Sequence, residues 1–344
     1  MTNNTQPPQP VIERYDLDPE SIRRITGGLI NRSFGARSRD GREYVLQQVN
    51  AVFPPEISDD IDAVTRHLHK KRLTTPLIVR TATGDCAISV GDIVWRLLTR
   101  VEGETHETVQ SDTEASEAGR VLGDFHQALD DFDQPLICQR PGVHDTERHS
   151  NALRLALGNH ELHAAHGAVT SLAEGIFELA AKLEPLQKTA NRLVHGDPKI
   201  SNVIFSQNRA ICLIDLDTIA QMPVALELGD ALRSWCNPAG EDSSEARFSI
   251  KRFHAALEGY RLSAGQLLSE PEWQDVPNAT LAIAVELAAR FAADALNESY
   301  FAWDRKRFAS ASRHNLARSA AQLRLATNIK EQLPRMHETI VTLT

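Results

Sequence analysis

Apolar and polar residues alternate over short runs in the first hundred positions, which is the pattern of half-buried strands separated by tight turns. The Asp40-Gly41 pair stands between two such runs and predicts a hairpin. Residues 56–71 differ, because apolar side chains recur there every three or four positions and predict a helix. The predicted strands are residues 21–26, 29–38, 43–50, 77–80, 86–90 and 93–100.

After about residue 111 the apolar positions follow a helical period almost throughout. Ser111 and Asp112 predict the start of a helix that ends near Leu129. One β segment, residues 193–217, interrupts this helical region. Further helices are predicted at about residues 146–157, 167–184, 245–260, 279–299 and 310–332.

The pattern therefore predicts the α+β fold class, with three parts in chain order. Residues 1–10 are expected to be a disordered leading segment. Residues 11–100 are expected to form a small lobe built on an antiparallel sheet, followed by a hinge that ends at about residue 105. Residues 106–344 are expected to form a mostly helical lobe. Two lobes leave a cleft, and clefts hold ligands.

Composition narrows the class of protein. The 344 residues carry a formal net charge of -9, whereas a nucleic-acid partner needs a basic stripe. No apolar run approaches the ~20 residues that cross a bilayer, and the first residues do not resemble a signal peptide. The four cysteines are scattered, which favours reduced thiols. We therefore expect a cytoplasmic monomer or homodimer with no nucleic-acid or membrane partner.

The β segment carries a cluster of candidate catalytic side chains. Its first half, His195–Asn202, fits the pattern His-x-Asp-x-x-x-x-Asn, and its second half ends in Asp215-Leu216-Asp217. Phosphoryl transfer requires an acceptor for the hydroxyl proton, oxygen ligands for Mg²⁺ and cations that hold the phosphates. Asp197 can accept the proton, and Asn202 and Asp215 offer the oxygen atoms that Mg²⁺ prefers. The segment therefore predicts a kinase.

A turn at residues 206–209 is expected to fold the segment into a hairpin with Asn202 and Asp215 side by side at its open end. Lys199 could face the transferred phosphoryl group or be a solvated surface charge. Asp217 could be a second metal contact or a turn cap. His195 is expected to anchor the loop instead of moving protons.

Further motifs are spread over nearly the whole chain. They are Gly27–Phe34 in a glycine loop, Tyr44–Asn50 in a third strand, Trp95–Leu98 and Gly103 before a hinge, Ile214–Thr218 after the catalytic motif, Gly229–Arg233, and the segments Glu286–Phe291, Leu296-Asn297 and Tyr300-Phe301. Together with His195–Asn202 they resemble the aminoglycoside phosphotransferase/choline kinase-like superfamily, whose members are related to protein kinases. Within it the chain most resembles the N-acetylhexosamine 1-kinase group.

This resemblance implies a protein kinase-like two-lobe fold, ATP and Mg²⁺, and a small-molecule hydroxyl as acceptor. It implies that Asp197 is the base and that Asn202 and Asp215 hold the metal, and the residues themselves add Lys199 as a catalytic candidate and Asp217 as a metal candidate. The implied nucleotide contacts are Gly27, Gly28, Asn31, Arg32 and Gln47. The implied acceptor contacts are Arg233, Arg290 and Tyr300.

The chain departs from the family at two places. Gln47 and Gln48 stand where kinases usually have a lysine on the third strand, so the phosphates must depend more on Mg²⁺, backbone N–H groups and Lys199. Before Tyr300 the sugar kinases have a Gly-Asp pair, whereas this chain has Glu298-Ser299 and is one residue shorter.

Three hypotheses about function stay open. The first is a kinase for a sugar or amino sugar. The second is a kinase for an aminoglycoside, choline or another amino alcohol, whose cationic acceptor would need a carboxylate-rich pocket. The third, from a different class, is a nucleotide-binding pseudokinase that regulates a partner, and the missing strand lysine favours it. The candidate pocket carboxylates are Glu227, Asp230, Glu286, Asp294 and Glu298.

Overall fold

The computed structural model describes residues 6–25, 30–138 and 143–344. The chain divides into two compact units. The first comprises residues 1–102 together with 131–139, and the second comprises residues 103–130 together with 140–344.

The first unit is built on a five-stranded antiparallel sheet with the strand order β1-β2-β3-β5-β4. Gly41, whose φ is +91°, lies in the turn between β2 and β3, a conformation that glycine adopts easily. The strands are β1 (Arg23–Arg24), β2 (Arg32–Arg37), β3 (Glu43–Gln48), β4 (Ile88–Val90) and β5 (Ile93–Thr99). The helices are α1 (Gln9–Arg14) and α2 (Ile57–Lys70).

One face of this sheet carries the core of the first unit. Phe34, Leu46 and Trp95 come from three neighbouring strands and are buried together with Val11 of α1. Because side chains alternate across a strand, the residues next to them point to the other face. This alternation is what the sequence pattern showed.

Two expectations for the first unit need correction. The predicted disordered segment through residue 10 ends too late, because α1 begins at Gln9 behind a proline that suits the start of a helix. The predicted strand at 77–80 is no regular strand. It makes one isolated bridge, between Ile78 and Leu98, because β4 already pairs along the first half of that edge of β5.

The second unit is mostly helical. Its helices are α3 (Asp112–Leu129), α4 (Thr146–Asn159), α5 (His166–Ala180), α6 (Val224–Trp235), α7 (Ile250–Ala264), α8 (Glu270–Asn297) and α9 (Ala311–Leu343). Four short strands form two antiparallel pairs, β6 with β9 and β7 with β8. The strands are β6 (Asn191–Val194), β7 (Val203–Ser206), β8 (Arg209–Leu213) and β9 (Ala220–Pro223).

Helix α6 and strand β9 were not predicted from the sequence. The helix is buried along nearly its whole length, and its buried residues include the charged Glu227, Asp230 and Arg233. Its apolar residues Val224, Leu228, Leu232 and Trp235 do recur at helical spacing, whereas the burial of its charged face could not be read from the sequence.

The predicted α+β fold, with an antiparallel sheet in the N-terminal part and helices in the C-terminal part, is confirmed. The lobe boundaries at residues 100 and 105 stay predictions. Among the described residues, no helix is both long enough and apolar enough to cross a membrane.

Candidate active site

The catalytic loop, residues 195–202, joins β6 to β7 and is held by helix α6. The backbone N–H groups of His195 and Gly196 donate to the two oxygens of the buried Glu227 carboxylate, at 2.8 and 2.9 Å. Near the other end of α6, Trp235 Nε1 donates to the Pro198 carbonyl at 2.8 Å. The loop therefore has its backbone fastened to a helix that starts more than twenty residues later in the chain.

Gly196 allows the loop to pass close to the segment that follows β8. Its φ is +81°, and a Cβ added there would lie 2.1 Å from the carbonyl oxygen of Thr218. The Thr218 hydroxyl donates to the His195 carbonyl at 3.0 Å. No other residue type fits at Gly196 without moving one of the two segments.

His195 is fully buried, and its ring joins two backbone segments. Its Nε2–H donates to the Ile214 carbonyl at 2.9 Å, and its Nδ1 accepts the Asp197 N–H at 3.3 Å. Burial lowers the pKa of His195, so the ring is neutral near pH 7. These bonds match the anchoring role that the sequence analysis gave to this histidine.

Asp197, Lys199 and Asn202 form a hydrogen-bonded cluster in which Asn202 is buried and the other two side chains are partly buried. Lys199 Nζ donates to Asp197 Oδ2 at 2.6 Å, and Asn202 Nδ2 donates to the same oxygen at 3.2 Å and to the Asp197 carbonyl at 2.8 Å. Oδ1 of Asp197 receives no hydrogen bond from the described residues.

Charge keeps Asp197 ionised. Burial by itself would raise the pKa of Asp197, but the Lys199 ammonium outweighs burial and holds that pKa below its usual value. Burial would likewise lower the pKa of Lys199, and the Asp197 and Asp215 carboxylates hold it above its usual value. A carboxylate kept ionised in this way can accept a proton.

Asn202 and Asp215 lie at the open end of the β7–β8 hairpin, as expected. The Ile214 N–H donates to the Asn202 carbonyl at 2.9 Å, which places Asp215 next to Asn202. Asp215 has a left-handed backbone with φ of 68°. Burial and the neighbouring Asp217 carboxylate raise the pKa of Asp215 to about 7.

The donor set fits a hard divalent cation. Two neighbouring carboxylates, Asp215 and Asp217, repel each other in a buried place, and a bound cation would relieve that repulsion. Asn202 uses its Nδ2 on Asp197, which leaves its amide oxygen for a ligand role. Within the described residues, no group of three or more His, Cys, Asp and Glu side chains is arranged to hold a metal. The candidate set is therefore two carboxylates and one amide.

In the first unit, Gln47 of β3 lies in a polar row that crosses three strands. It pairs with Ser33 of β2 and with Arg96 of β5. Arg96 donates to Gln47 Oε1 from Nε at 2.9 Å and from the guanidinium end at 2.7 Å, and Gln47 Nε2 donates to Ser33 Oγ at 3.2 Å. A buried guanidinium thus stands beside the position where kinases usually have a lysine.

The remaining predicted nucleotide contacts are Gly27, Gly28, Asn31 and Arg32. Gly27 and Gly28 lie outside the described residues. Asn31 is buried, and its side-chain oxygen accepts the Asn50 N–H at 2.9 Å, whereas Arg32 is exposed.

A family model for the phosphotransferase enzyme family matches residues 21–265, which cover the sheet of the first unit and the whole catalytic loop. The chain belongs to the phosphotransferase enzyme family. The predicted membership of the aminoglycoside phosphotransferase/choline kinase-like superfamily is thereby confirmed, and so is the expectation of a phosphotransferase enzyme. The narrower assignment to the N-acetylhexosamine 1-kinase group stays a prediction.

Several solved structures share the fold of this phosphotransferase. A microcompartment-associated aminopropanol kinase is 16% identical with a TM-score of 0.64, over 96% of this chain and 97% of that one. An aminoglycoside phosphotransferase from Alicyclobacillus acidocaldarius subsp. acidocaldarius is 17% identical with a TM-score of 0.62, over 97% and 98%. Amicoumacin kinase, solved with AMP-PNP, Ca²⁺ and its ligand, is 14% identical with a TM-score of 0.61, over 92% and 91%. At these identities the likeness shows the fold alone.

Arg233 of this phosphotransferase, a predicted acceptor contact, is paired with carboxylates and acts on the charge of Asp197. Its guanidinium donates to Asp230 at 2.9 Å and to Glu241 at 3.2 Å, and its charge contributes to lowering the pKa of Asp197. The sequence-predicted residues Asp197 and Arg233 are therefore brought into one neighbourhood by helix α6.

Arg290 and Tyr300 meet at the end of α8. The Arg290 guanidinium carbon lies 5.9 Å from the centre of the Tyr300 ring and 5.5 Å from that of Phe301. The Asp294 carboxylate accepts the backbone N–H groups of residues 299, 300 and 301. Glu298 adopts a left-handed backbone with φ of 47° before this turn. The turn is thus built although the usual Gly-Asp pair is missing.

The structure gives functions to residues that sequence reasoning missed or placed elsewhere. Glu227 was a candidate pocket carboxylate, but it holds the catalytic loop. Arg96 was passed over, although a buried arginine in an otherwise apolar strand is an uncommon signal. His144 was not considered, because a single histidine in a loop has no spacing motif around it.

Proposed function

We propose that this phosphotransferase is a small-molecule kinase that transfers the γ-phosphoryl group of ATP to a hydroxyl group of a sugar or amino sugar. The observation that carries the proposal is the arrangement around Asp197. The carboxylate is held ionised by Lys199, one of its oxygens is left for a hydroxyl, and Asn202 and Asp215 lie beside it.

In the proposed reaction, Asp197 orients the acceptor hydroxyl and takes its proton as the oxygen attacks the γ-phosphorus. Lys199 lies near enough to stabilise the negative charge on the transferred group. The backbone of the loop stays fixed because Glu227 and His195 hold it, and a fixed base loses little free energy to orientation during the reaction.

The nucleotide and metal follow from the same arrangement. Asn202, Asp215 and Asp217 would hold Mg²⁺, which neutralises phosphate charge when bound. The amicoumacin kinase neighbour, solved with AMP-PNP and Ca²⁺, supports the choice of ATP and a divalent cation. Arg96 would supply, beside Gln47, the positive charge that a strand lysine supplies in other kinases.

The acceptor is proposed to be uncharged, a neutral sugar or an N-acetylated amino sugar, because the five candidate pocket carboxylates already have partners within the chain. Glu227 binds backbone N–H groups, and Asp294 does the same. The remaining candidates have cationic or histidine partners: Asp230 with Arg233, Glu286 with His144, and Glu298 with His163. A cationic aminoglycoside or amino alcohol would have to compete with these partners. The similarity in fold to an aminopropanol kinase keeps that acceptor class as the second candidate.

A screen of ADP release over sugars, amino sugars, aminoglycosides and amino alcohols tests the proposal. We expect turnover with a sugar or N-acetylated amino sugar. Turnover only with choline or an aminoglycoside, and with no sugar, would show that the acceptor is an amino alcohol or aminoglycoside instead. An absence of ADP with every compound, together with measurable ATP binding, would favour the pseudokinase hypothesis.

The metal assignment has its own test. Asp215→Asn removes one carboxylate and should raise the Mg²⁺ concentration needed for half-maximal turnover, while binding of the acceptor alone stays unchanged. The assignment is wrong if the Mg²⁺ dependence of the variant matches that of the original protein.

A further inference from the structure

His144 presents a buried nitrogen that nothing in the described chain satisfies. The residue lies just before α4, and its side chain is only 6% exposed. Its Nδ1 lies 3.2 Å from Oε1 of Glu286. Its Nε2 is buried and has no hydrogen-bond partner among the described residues. Buried polar atoms of this kind are uncommon, and each one calls for an explanation.

Glu286 holds His144 from the middle of α8. The carboxylate is 1% exposed. The ring of His149 also approaches it, at 3.5 Å, but His149 Nε2 donates to the Val143 carbonyl at 2.9 Å and is therefore already used. Arg290 lies at 3.9 Å from the same oxygen. The shortest contact of Glu286 is thus with His144, and it fixes the direction of that ring.

Charged groups link the pair to the proposed reacting groups. The charges of Asp230 and Arg290 both act on His144. Asp230 is bonded to Arg233 at 2.9 Å, and the charge of Arg233 acts on Asp197. His144 is therefore connected on one side with the neighbourhood of the base and on the other with Arg290, a predicted acceptor contact.

The protonation of His144 suits a hydrogen-bond donor. Burial by itself would lower the pKa of His144, but the hydrogen bond to Glu286 together with the negative charges of Glu286 and Asp230 outweighs burial and raises it. With Nδ1 facing a carboxylate, a protonated ring points its Nε2–H away from Glu286. Such a donor pairs with an acceptor oxygen, either of a carbonyl group or of a hydroxyl group.

We propose that His144 and Glu286 form a binding site for an uncharged oxygen group of the acceptor, a hydroxyl or an amide carbonyl. His144 Nε2–H donates to that oxygen, and Glu286 is a positioning residue that orients the ring. The inference rests on the proposed function, since it names how the same site recognises its acceptor.

Three variants test this site in the full-length protein. His144→Phe keeps a planar ring and removes the donor, His144→Gln keeps an N–H donor near the place of Nε2, and Glu286→Gln removes the charge that orients the ring. His166→Phe is the matched control, because His166 Nε2 donates to the Leu157 carbonyl and has a structural partner already. The ligands are N-acetylglucosamine, N-acetylgalactosamine, galactose and choline. Titration calorimetry measures their binding, and ADP release measures turnover.

We expect His144→Phe to weaken binding of the best sugar about 10- to 100-fold, the loss that one strong hydrogen bond accounts for. The acceptor KM should rise by a similar factor, with the ATP KM unchanged. His144→Gln should recover part of the affinity, Glu286→Gln should lose part of it, and His166→Phe should bind as the original protein does.

The inference and the proposed function fail in different ways. Equal sugar affinity of the original protein and His144→Phe overturns the inference, and so does a His144→Phe variant that only loses thermal stability, as a structural histidine would. Binding of none of the uncharged sugars to the original protein overturns it as well. Sugar binding that depends on His144 without any ADP release supports the inference and contradicts the kinase.

Discussion

The catalytic loop and the proposed acceptor region, which comprises His144, Glu286, Arg290 and Tyr300, are held in different ways. In the loop the backbone itself is fastened, through Glu227 and the ring of His195. In the acceptor region the side chains contact one another, and some of their polar groups are left for a ligand. His144 Nε2 has no partner among the described residues, and Tyr300 is half exposed.

The difference separates chemistry from recognition. Phosphoryl transfer needs a base at a constant position, which buried backbone hydrogen bonds provide. Recognition of an acceptor needs unsatisfied groups that a ligand can complete. Helix α6 contributes to both regions, because its Glu227 holds the loop and the charge of its Asp230 acts on His144. Variants of the loop should therefore change turnover or folding, whereas variants of the acceptor region should change affinity.

The largest effect is expected for Asp197→Asn. The amide cannot take the hydroxyl proton, so turnover should fall roughly 10²- to 10⁴-fold. The shape of the side chain is kept, so the melting temperature should stay near that of the original protein. The assay is ADP release at saturating acceptor, with the exposed Asp133→Asn as control. Full activity of Asp197→Asn would refute its role as base.

The next effect is expected for Glu227→Ala, which leaves the N–H groups of His195 and Gly196 unpaired. Each unpaired buried group costs about 1–3 kcal/mol of unfolding free energy. Urea denaturation measures this loss, and turnover should fall because the base is no longer fixed. Glu227→Gln, which still accepts a hydrogen bond, should lose less. If the alanine variant is as stable and as active as the original protein, the loop is not held by this residue.

A smaller effect is expected for Arg290→Ala in the acceptor region. Loss of one charged contact should raise the acceptor KM roughly 10-fold and leave the ATP KM unchanged. Arg313→Ala, an exposed arginine on α9, is the control. A fall in turnover at saturating acceptor, without a change in KM, would move Arg290 from recognition to chemistry.

The smallest effect is expected in the pH dependence of the melting temperature, and it again separates the two regions. The pKa of His144 is raised through Glu286, although burial opposes this. The pair therefore stabilises the fold fully at pH values below about 6.5, the pKa of histidine in the unfolded chain. This stabilisation is lost as the pH rises through the higher pKa of the folded protein. Asp230, Arg290 and His149 are the other ionisable groups near it. The melting temperature of His144→Gln should therefore fall further below that of the original protein at pH 5.5 than at pH 8.5.

His195 has the opposite sign, because burial lowers its pKa and its protonation at low pH destabilises the fold. Both proteins in this comparison contain His195, so its contribution cancels. An equal difference in melting temperature at the two pH values would show that Glu286 does not hold a protonated His144.

Much of the site could be predicted because it is local in sequence. Asp197, Lys199 and Asn202 lie within one loop, and the hairpin that brings Asp215 next to Asn202 is closed by a short turn. Spacing alone was enough for these residues. Gln47 was found through the family resemblance, but its partner Arg96 lies 49 residues further along the chain, on a neighbouring strand.

The sequence by itself determined the fold class and the family and suggested which side chains react, because these inferences depend on periodicity and on short motifs. The tertiary structure alone decided that Glu227 serves the loop instead of a cationic ligand, and that His144 faces Glu286 across 142 residues of chain. Such pairs follow from helix packing. A carboxylate on a helix has the same appearance in a sequence whether it faces water, a backbone or a histidine, and only its neighbours in space give it a function.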